Sequence, residues 1–522
     1  MAASRRPTLT SVVTSLRRRV TALLVTAALL ASCSQSGSQA TAPTSTARDG
    51  TSTSPGTADR DPATTAPSTG TEQPLAEWEP CGSGFDCATI AVPLDHDQPD
   101  GPTIDLALQR LPAGDADRRI GSVLVNPGGP GASGLSMASS LVLLGSVMDR
   151  FDIVGFDPRG VGHSTALTCN THVQAIYDAD PTMDDQADID HFRTVSEQFV
   201  DECASEHADL LPHLGTVAVA HDLDRIRAAV GDEQLTYLGY SYGTSIGQQY
   251  ARLYPTRVRA MVLDGVVDPS ESGLVAAEGQ AEGFTNALDA YAADCDADRC
   301  LGDPALTVVD RVTAASEAAP IPAAGADRPA TPGVVSLAVA YALYAELLWP
   351  QLTRALRDAD AGNATGLVRL ADSYLSREPD GSYGNSAEVY FAVSCLDADW
   401  PRSFDEVLAA DAAAGDRYPR FGEALVNDYA RCALWPVPPQ PLEPVPTDLE
   451  GLAPIVVVST TGDPATPYES GVRIAEQIPD ARLVTNVGDT HTVVGQGRSC
   501  IDDLVTDYFV DLVVPEDGVR CG

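Results

Sequence analysis

The sequence predicts an α/β protein with a mostly parallel β-sheet and an inserted helical cap. From about Trp78 onward, short β-rich runs alternate with helical patterns, which is typical of βαβ units. The last two β-rich runs follow a long Ala-rich interval with helical periodicity. The chain has 522 residues, enough for one large α/β domain with an insertion, and its 44% hydrophobic and 20% charged residues are typical of globular proteins.

Seven runs are predicted to be strands. Residues 104–110 alternate apolar and polar side chains, as a half-exposed strand does. The others are short and apolar, at 122–126, 152–156, 235–239, 259–263, 455–459 and 482–485. Helical periodicity is found at 216–230 and, within the Ala-rich interval, at 337–348 and 363–375. We therefore expect a sheet domain formed by residues 75–269 and 446–522, with a helical cap at 270–445.

The amino terminus is predicted to be a signal peptide spanning residues 1–32. Five arginines precede an apolar run at 20–31 that is short for a bilayer-spanning helix. The run ends Leu30-Ala31-Ser32-Cys33, which resembles a bacterial lipobox in which Cys33 becomes lipidated. The alternative is an ordinary signal peptide with a chance cysteine. Residues 33–74 contain mostly Ser, Thr, Pro, Ala and Gly, so they predict a disordered tether. We expect an exported membrane lipoprotein that faces the exterior of the cell envelope.

The charge of the chain limits its partners. Its 33 basic and 73 acidic residues give a formal net charge of −40. This charge opposes binding to nucleic acid and to anionic membrane surfaces, so membrane contact is expected only through the lipid. The sequence leaves the oligomeric state open.

The cysteines predict disulfides. Eleven are present, and setting Cys33 aside leaves ten, an even number in an exported chain. The simplest pairing joins neighbours along the chain: Cys81 with Cys87, Cys169 with Cys203, Cys295 with Cys300, Cys395 with Cys432, and Cys500 with Cys521.

The strongest local motif is Gly239-Tyr240-Ser241-Tyr242-Gly243, which follows a predicted strand and opens a predicted helix. This context is that of a nucleophile elbow, where glycines permit a tight turn and the serine projects above the sheet. A serine nucleophile needs a base, and in this arrangement the acid and then the histidine follow it in the chain. His491 is the one histidine after Ser241, and Asp463 follows the run at 455–459. Two alternatives remain: Asp463 only caps the next helix, or Asp489 is the acid.

The tetrahedral intermediate of acyl transfer needs two backbone N–H donors. One is expected at Tyr242, immediately after the nucleophile. The other is expected at Gly129, within Asn126-Pro127-Gly128-Gly129-Pro130-Gly131. These glycines could also form a dinucleotide loop, but no G-x-G-x-x-G with a following acid is present, and no metal-ligand spacing is found. We therefore expect neither a cofactor nor a metal.

Four motifs together resemble one family. They are the Asn-Pro-Gly-Gly-Pro-Gly segment at 126, the segment 151–162, Gly-Tyr-Ser-Tyr-Gly-Thr at 239, and Val-Leu-Asp-Gly-Val at 262. They are similar to the actinobacterial tripeptidyl aminopeptidase and proline iminopeptidase branch of the α/β-hydrolases, especially the lipid-anchored cell-envelope serine proteases of mycobacteria. The resemblance implies an α/β-hydrolase fold, a triad of Ser241, Asp463 and His491, an oxyanion loop at Gly128 and Gly129, and a helical cap. Members often have Gly on both sides of the histidine, where this chain has Thr490 and Thr492.

The expected function is that of a serine hydrolase acting on peptide bonds. The resemblance favours a tripeptidyl aminopeptidase or related protease, with a carboxylesterase or envelope-lipid esterase as the alternative and a non-catalytic binding protein as a weaker one. An aminopeptidase needs an anion for the substrate ammonium, because an unpaired buried charge is costly. Candidate acids in apolar parts of the cap are Glu346, Glu388 and Asp397, although such residues are also common on solvated helix faces.

Overall fold

The computed structural model describes residues 73–138, 144–169, 172–183 and 185–522. The predicted signal peptide at 1–32, the predicted lipidation site Cys33 and nearly all of the predicted tether at 33–74 lie outside the described residues. Within the described residues, no helix has the length and apolar character that crossing a membrane requires.

A ten-stranded sheet lies at the centre of the described residues. Its strands are β1 (Glu79–Gly82), β2 (Phe85–Pro93), β3 (Thr103–Leu111), β4 (Gly121–Asn126), β5 (Phe151–Phe156), β6 (Leu235–Tyr240), β7 (Val258–Asp264), β8 (Ile455–Thr460), β9 (Arg482–Asn486) and β10 (Val519–Cys521). Their spatial order is β1-β2-β3-β5-β4-β6-β7-β8-β9-β10. Strands β1, β2, β3 and β5 pair antiparallel in turn, and every other neighbouring pair is parallel. The predicted mostly parallel sheet is confirmed.

Sixteen α-helices occur in the described residues. Those before β8 are α1 (Gly134–Ala138), α2 (Gly145–Arg150), α3 (Val173–Asp178), α4 (Gln186–His207), α5 (Thr216–Ala229), α6 (Tyr242–Leu253), α7 (Gly273–Asp298), α8 (Ala305–Ala318), α9 (Pro332–Leu343), α10 (Trp349–Asp360), α11 (Thr365–Tyr374), α12 (Ser386–Asp397), α13 (Phe404–Arg417) and α14 (Gly422–Asp428). After β8 come α15 (Tyr468–Gln477) and α16 (Ser499–Asp511). Eight helices, α7 to α14, therefore lie between β7 and β8, in the interval predicted to be helical.

All seven predicted strands are present, each within one residue of its predicted ends. Strands β1, β2 and β10 were not predicted from the sequence. All four residues of β1 are exposed, so it has no apolar alternation to detect, and β2 alternates only in its second half. Strand β10 has only three residues, too few to define a pattern.

The predicted helix at 337–348 is wrong in its second half. Helix α9 ends at Leu343, and Ala345 takes an extended backbone, with φ −156° and ψ 134°. Ala345 pairs with Thr490 in an isolated antiparallel bridge, and a short 3-10 helix follows at Glu346–Leu348. Pairing with a distant segment replaces the helix here, although the apolar periodicity continues through it.

Helices cover both faces of the sheet. On one face, Leu223 of α5 and Ile246 of α6 share an apolar cluster with the strands. On the other face, Val147 of α2 and Phe509 of α16 form a second cluster. Helices α7 to α11 have a separate apolar cluster, whereas Phe391 of α12 belongs to the cluster of the first sheet face. The inserted interval therefore packs partly on itself and partly against the sheet.

The ten cysteines pair as predicted. Five disulfides join Cys81 to Cys87, Cys169 to Cys203, Cys295 to Cys300, Cys395 to Cys432, and Cys500 to Cys521. Each joins neighbours along the sequence, so they stabilise local loops rather than connect the two ends of the chain. The last one ties α16 to the edge strand β10.

The segment Asp157-Pro158-Arg159-Gly160, which follows β5, places an arginine in the core. Arg159 is buried and forms a two-pronged ion pair with Asp222 of α5, with both N–O distances 2.7 Å. Its guanidinium also donates to the carbonyl oxygens of Leu94 and His213. The Arg159 charge and its hydrogen bonds outweigh the burial that would raise the pKa of Asp222, and they hold that pKa below its ordinary value.

Candidate active site

Ser241 occupies the turn between β6 and α6. Its φ is 52° and its ψ is −125°, a left-handed conformation that a non-glycine residue rarely adopts. The turn is held because the Ser241 N–H donates to the backbone oxygen of Asp264 at 2.9 Å and the Thr244 N–H donates to the Ser241 oxygen at 2.8 Å. A Cβ on Gly239 would lie 2.7 Å from a Tyr237 ring carbon, so the glycine before the turn is needed for close packing. This geometry is that of a nucleophile elbow.

His491 lies in the loop after β9 and contacts Asp463, which follows β8. The Nδ1 atom of the imidazole lies 2.9 Å from both carboxylate oxygens of Asp463. A carboxylate partner requires the proton on Nδ1, which leaves the lone pair on Nε2. Nε2 is buried and has no hydrogen-bond partner among the described residues. The imidazole is therefore held in the tautomer that can accept a proton.

Asp463 is itself fixed by three donors. The N–H groups of Ala465 and Thr466 and the Thr466 hydroxyl each lie 2.9 Å from its carboxylate. The carboxyl side chain is only 1% exposed. Asp463 therefore orders the turn before α15 and contacts the imidazole, so the capping alternative describes only part of its contacts. Asp489 makes no hydrogen bond to the ring; its backbone N–H donates to Glu346 at 3.2 Å.

The surroundings of His491 favour its charged form. Burial acts to lower the pKa of His491, but the charge and hydrogen bond of Asp463 and the charge of Asp264 raise it more. The pKa therefore lies above the ordinary histidine value. At a given pH the imidazole holds its proton more tightly than an exposed histidine does.

The glycine loop after β4 lies against the nucleophile turn. Gly128 has φ +94°, and a Cβ there would lie 2.5 Å from the Tyr240 oxygen and 3.0 Å from the Tyr242 nitrogen. Only glycine permits this approach. The Gly128 N–H donates to Asn126 Oδ1 at 2.9 Å. Gly129, also with positive φ, lines the same cavity as Ser241 and Tyr242.

A cavity of about 440 Å³ opens above these residues. Its wall includes eight aromatic side chains from the helical interval and from α3: Tyr177, Phe284, Tyr344, Tyr374, Tyr390, Trp400, Phe421 and Tyr429. It also includes four acids, Asp268, Glu271, Asp397 and Asp428. The wall is thus mainly apolar with a few acidic groups, which is typical of a small-molecule or peptide site.

Of the three acids predicted as ammonium anchors, the structure places only Asp397 in the cavity wall. Glu346 is exposed beside the histidine loop, where it accepts from the Asp489 N–H. Glu388 is fully buried, away from the cavity wall, and burial raises its pKa to about 8. The structure therefore corrects the predicted role of two of these acids: Glu346 lies outside the cavity, and Glu388 lies in the core.

Three of the four cavity acids are neutralised by arginine. Asp268 and Glu271 both pair with Arg473, and Asp428 pairs with Arg431. Asp397 has no ion pair among the described residues; it accepts from the Thr216 N–H at 3.0 Å and the Thr216 hydroxyl at 2.5 Å. Burial raises the pKa of Asp397 to about 7, against the Thr216 hydrogen bonds that lower it.

Several site residues were not predicted. Thr466 binds Asp463, and its position three residues after an aspartate is the spacing of a side-chain turn. Asp268 follows β7 at the same sheet edge as Ser241. Its position shortly after a predicted strand could have indicated a site residue. Tyr344 is part of the site because its backbone oxygen accepts from the His491 N–H at 2.8 Å. The two residues are far apart in the sequence, so no local pattern predicts this contact. Within the described residues, no group of three or more His, Cys, Asp or Glu side chains has the geometry of a metal site.

Comparison with known proteins agrees with the fold. The family model for the alpha/beta hydrolase fold matches residues 121–497. The chain is 42% identical to the serine protease Hip1 of Mycobacterium tuberculosis, covering 85% of this chain and 90% of that protein. It is 38% identical to carboxylesterase B of the same species, covering 83% and 86%, and 33% identical to the tripeptidyl aminopeptidase of Streptomyces coelicolor, covering 83% of each. The chain therefore belongs to the α/β-hydrolase family, and it is a hydrolase enzyme.

Proposed function

We propose that the enzyme is an exported, lipid-anchored serine peptidase that cleaves near the amino terminus of peptide substrates. The observation that carries the proposal is the Asp463–His491 pair, which lies in the same site as a serine held in a strained elbow. This combination supports acyl transfer through a covalent serine intermediate. No cofactor takes part in the proposed reaction.

In the proposed mechanism, Ser241 Oγ attacks the scissile carbonyl while His491 Nε2 takes its proton. Asp463 keeps the proton of the neutral ring on Nδ1 and stabilises the imidazolium. The N–H groups of Gly129 and Tyr242 bind the oxyanion; Gly129 is preferred over Gly128 because the Gly128 amide already donates to Asn126. The imidazolium then protonates the leaving amine, and water, deprotonated by His491, releases the acyl group.

In the free enzyme His491 Nε2 has no hydrogen-bond partner among the described residues, so the Ser241 hydroxyl is not bonded to it. Such hydrogen bonds often form only once substrate is bound. The free geometry is therefore consistent with the roles proposed for the two residues.

We assign the substrate ammonium to Asp397. It is the one cavity acid without an arginine or histidine partner in the described chain, and burial, which no nearby positive charge offsets, raises its pKa. A substrate ammonium would supply that charge. The Thr216 hydroxyl, which donates to Asp397, also lies 2.6 Å from the Tyr242 hydroxyl, so the anchor is linked to the side chain of the residue that follows the nucleophile. The Streptomyces relative named tripeptidyl aminopeptidase supports the same substrate class.

Asp397→Asn is expected to remove the preference for a free amino terminus. The measurement compares kcat/KM on a tripeptide amide with a free amino terminus and on the same peptide acetylated. The wild type should prefer the free peptide by about tenfold or more, and the variant should act on both at similar rates, since one charge-assisted contact contributes about 1.5–3 kcal/mol. Glu271→Gln is the matched control, because Glu271 lines the cavity but pairs with Arg473. Equal wild-type rates on both peptides would exclude the anchor.

The second candidate function is that of a carboxylesterase, favoured by the relative named carboxylesterase B. The same nucleophile and oxyanion donors would serve an ester. Turnover of a short-chain p-nitrophenyl ester without any turnover of the peptide amides would favour this function over the peptidase.

The membrane attachment is proposed through Cys33. The five disulfides are consistent with export to an oxidising compartment. Cys33→Ser is expected to move the enzyme from the membrane fraction to the medium, because the lipidated thiol is its proposed anchor. Immunoblotting of both fractions checks this, with the wild type as reference. Retention of the variant in the membrane fraction would contradict the lipoprotein assignment.

A further inference from the structure

Asp264 connects the nucleophile turn to the histidine loop. It is the last residue of β7 and has no exposed surface. Its backbone oxygen accepts from the Ser241 N–H at 2.9 Å. Its carboxylate oxygen Oδ2 accepts from the N–H groups of Val493 and Val494 at 2.7 and 2.8 Å, just after His491. One buried residue therefore contacts both segments that carry the reacting groups.

The other carboxylate oxygen of Asp264, Oδ1, is buried and accepts no hydrogen bond from the described residues. A buried charged group without full hydrogen bonding is costly, so loop anchoring alone does not explain a carboxylate here. The imidazole lies close to the end of β7, because a Cβ on the residue after Asp264, Gly265, would lie 3.0 Å from His491 Cε1.

We propose that Asp264 is a positioning residue for His491, which fixes the histidine loop through two backbone hydrogen bonds and stabilises the imidazolium through its negative charge. This inference rests on the proposed serine mechanism. Asp463 orients the ring by direct contact, whereas Asp264 acts through the loop and through space.

The charges around the two groups are consistent with this role. The titratable groups that act on His491 are Asp463 and Asp264, and the Tyr344 ring packs edge-on against the imidazole. His491, Asp463 and Tyr240 are the groups coupled to Asp264. Burial raises the pKa of Asp264 to about 6, against the Val493 and Val494 hydrogen bonds that lower it. Asp264 is therefore ionised at the neutral and alkaline pH at which His491 is a free base.

Asp502 provides a matched control. Its carboxylate also accepts from two N–H groups of the histidine loop, those of Gly495 at 2.7 Å and Gly497 at 3.0 Å. It is 7% exposed, whereas Asp264 is fully buried. It is not among the charged groups that shift His491. Asp502 thus shares the loop-anchoring contacts of Asp264 but not its charge effect on the ring.

The test measures the pH dependence of kcat/KM for the wild type, Asp264→Asn and Asp502→Asn. Activity should rise with pH as the imidazole loses its proton, and the wild-type midpoint should lie above the ordinary histidine pKa of about 6.5. Removing the negative charge of Asp264 makes the imidazolium less favourable. The midpoint of Asp264→Asn should therefore fall by on the order of half a pH unit, and its plateau by about tenfold or more. Asp502→Asn should keep the wild-type midpoint.

An unchanged midpoint in Asp264→Asn, or an equal shift in Asp502→Asn, would overturn the proposal. Fluorophosphonate labelling distinguishes failure of the Asp264 proposal from failure of the serine mechanism on which it rests. If the serine mechanism holds, Ser241 should remain the labelled residue in Asp264→Asn, at a lower rate. If Asp264→Asn does not fold, Asp264→Glu replaces it. This variant keeps the charge but displaces the carboxylate, so it should keep the wild-type midpoint with a lower plateau, and a midpoint that falls would contradict the proposed charge effect.

Discussion

Ser241→Ala is expected to lower kcat by about 10⁵- to 10⁶-fold and to abolish labelling by a fluorophosphonate probe. Without the hydroxyl, no acyl-enzyme can form, and only the rate enhancement from the oxyanion donors and substrate binding remains. The fold should be preserved, because the side chain is small and the backbone contacts of the turn do not involve it. Steady-state kinetics and gel-based labelling measure both effects.

Ser245→Ala is the control for this variant. Ser245 lies one turn further along α6 and also lines the cavity, but it is not part of the elbow. Its replacement should change kcat only slightly and leave labelling intact. Labelling that persists in Ser241→Ala, or that is lost in Ser245→Ala, would show that the nucleophile has been assigned to the wrong serine.

The strands that carry the site could be predicted because each signal is local. The glycines around Ser241 and the apolar run before it lie within a few residues of each other, and the run before Asp463 is equally short. In a parallel sheet the carboxyl ends of such strands share one edge, so chain order was enough to bring Ser241, Asp463 and His491 towards one another. The contact between Asp463 and His491 then required only that both loops lie at that edge.

The cap contacts could not be predicted in the same way. The periodicity of 337–348 continues past Leu343, but the chain leaves the helix there because Ala345 pairs with Thr490. That partner is far away in sequence, so no local pattern indicates the break. The same contact brings the Tyr344 ring against His491, and it explains how a cap residue came to be part of the site.

The acids of α12 show a second limit of local patterns. Glu388 and Asp397 are both flanked by apolar residues, and both were candidates for the same role. They are nine positions apart on one helix, and at about 100° per residue they project from opposite sides. One side faces the protein core and the other faces the cavity, so only Asp397 is available to a ligand. Sequence alone does not say which side of a buried helix faces a cavity.

The second large effect is expected for Asp463→Asn, which should lower kcat by about 10⁴-fold. The replacement keeps an oxygen that can accept from the Ala465 and Thr466 N–H groups, so the turn before α15 should remain. It removes the charge that stabilises the imidazolium, and its amide group favours the tautomer with the proton on Nε2. In that tautomer the ring cannot accept the Ser241 proton.

Asp489→Asn tests the other acid that the sequence allowed. Asp489 lies two residues before the histidine, but the ring bonds to Asp463, and the backbone N–H of Asp489 binds Glu346 instead. Its replacement should change kcat by less than about threefold, because a half-exposed charge that does not contact the ring contributes little to stabilising the imidazolium. Steady-state kinetics of the two variants, with thermal unfolding to confirm that both fold, make the comparison. A loss in Asp489→Asn as large as that in Asp463→Asn would mean that the acid of the site is shared, whereas a large loss in Asp463→Asn alone identifies it as the partner of His491.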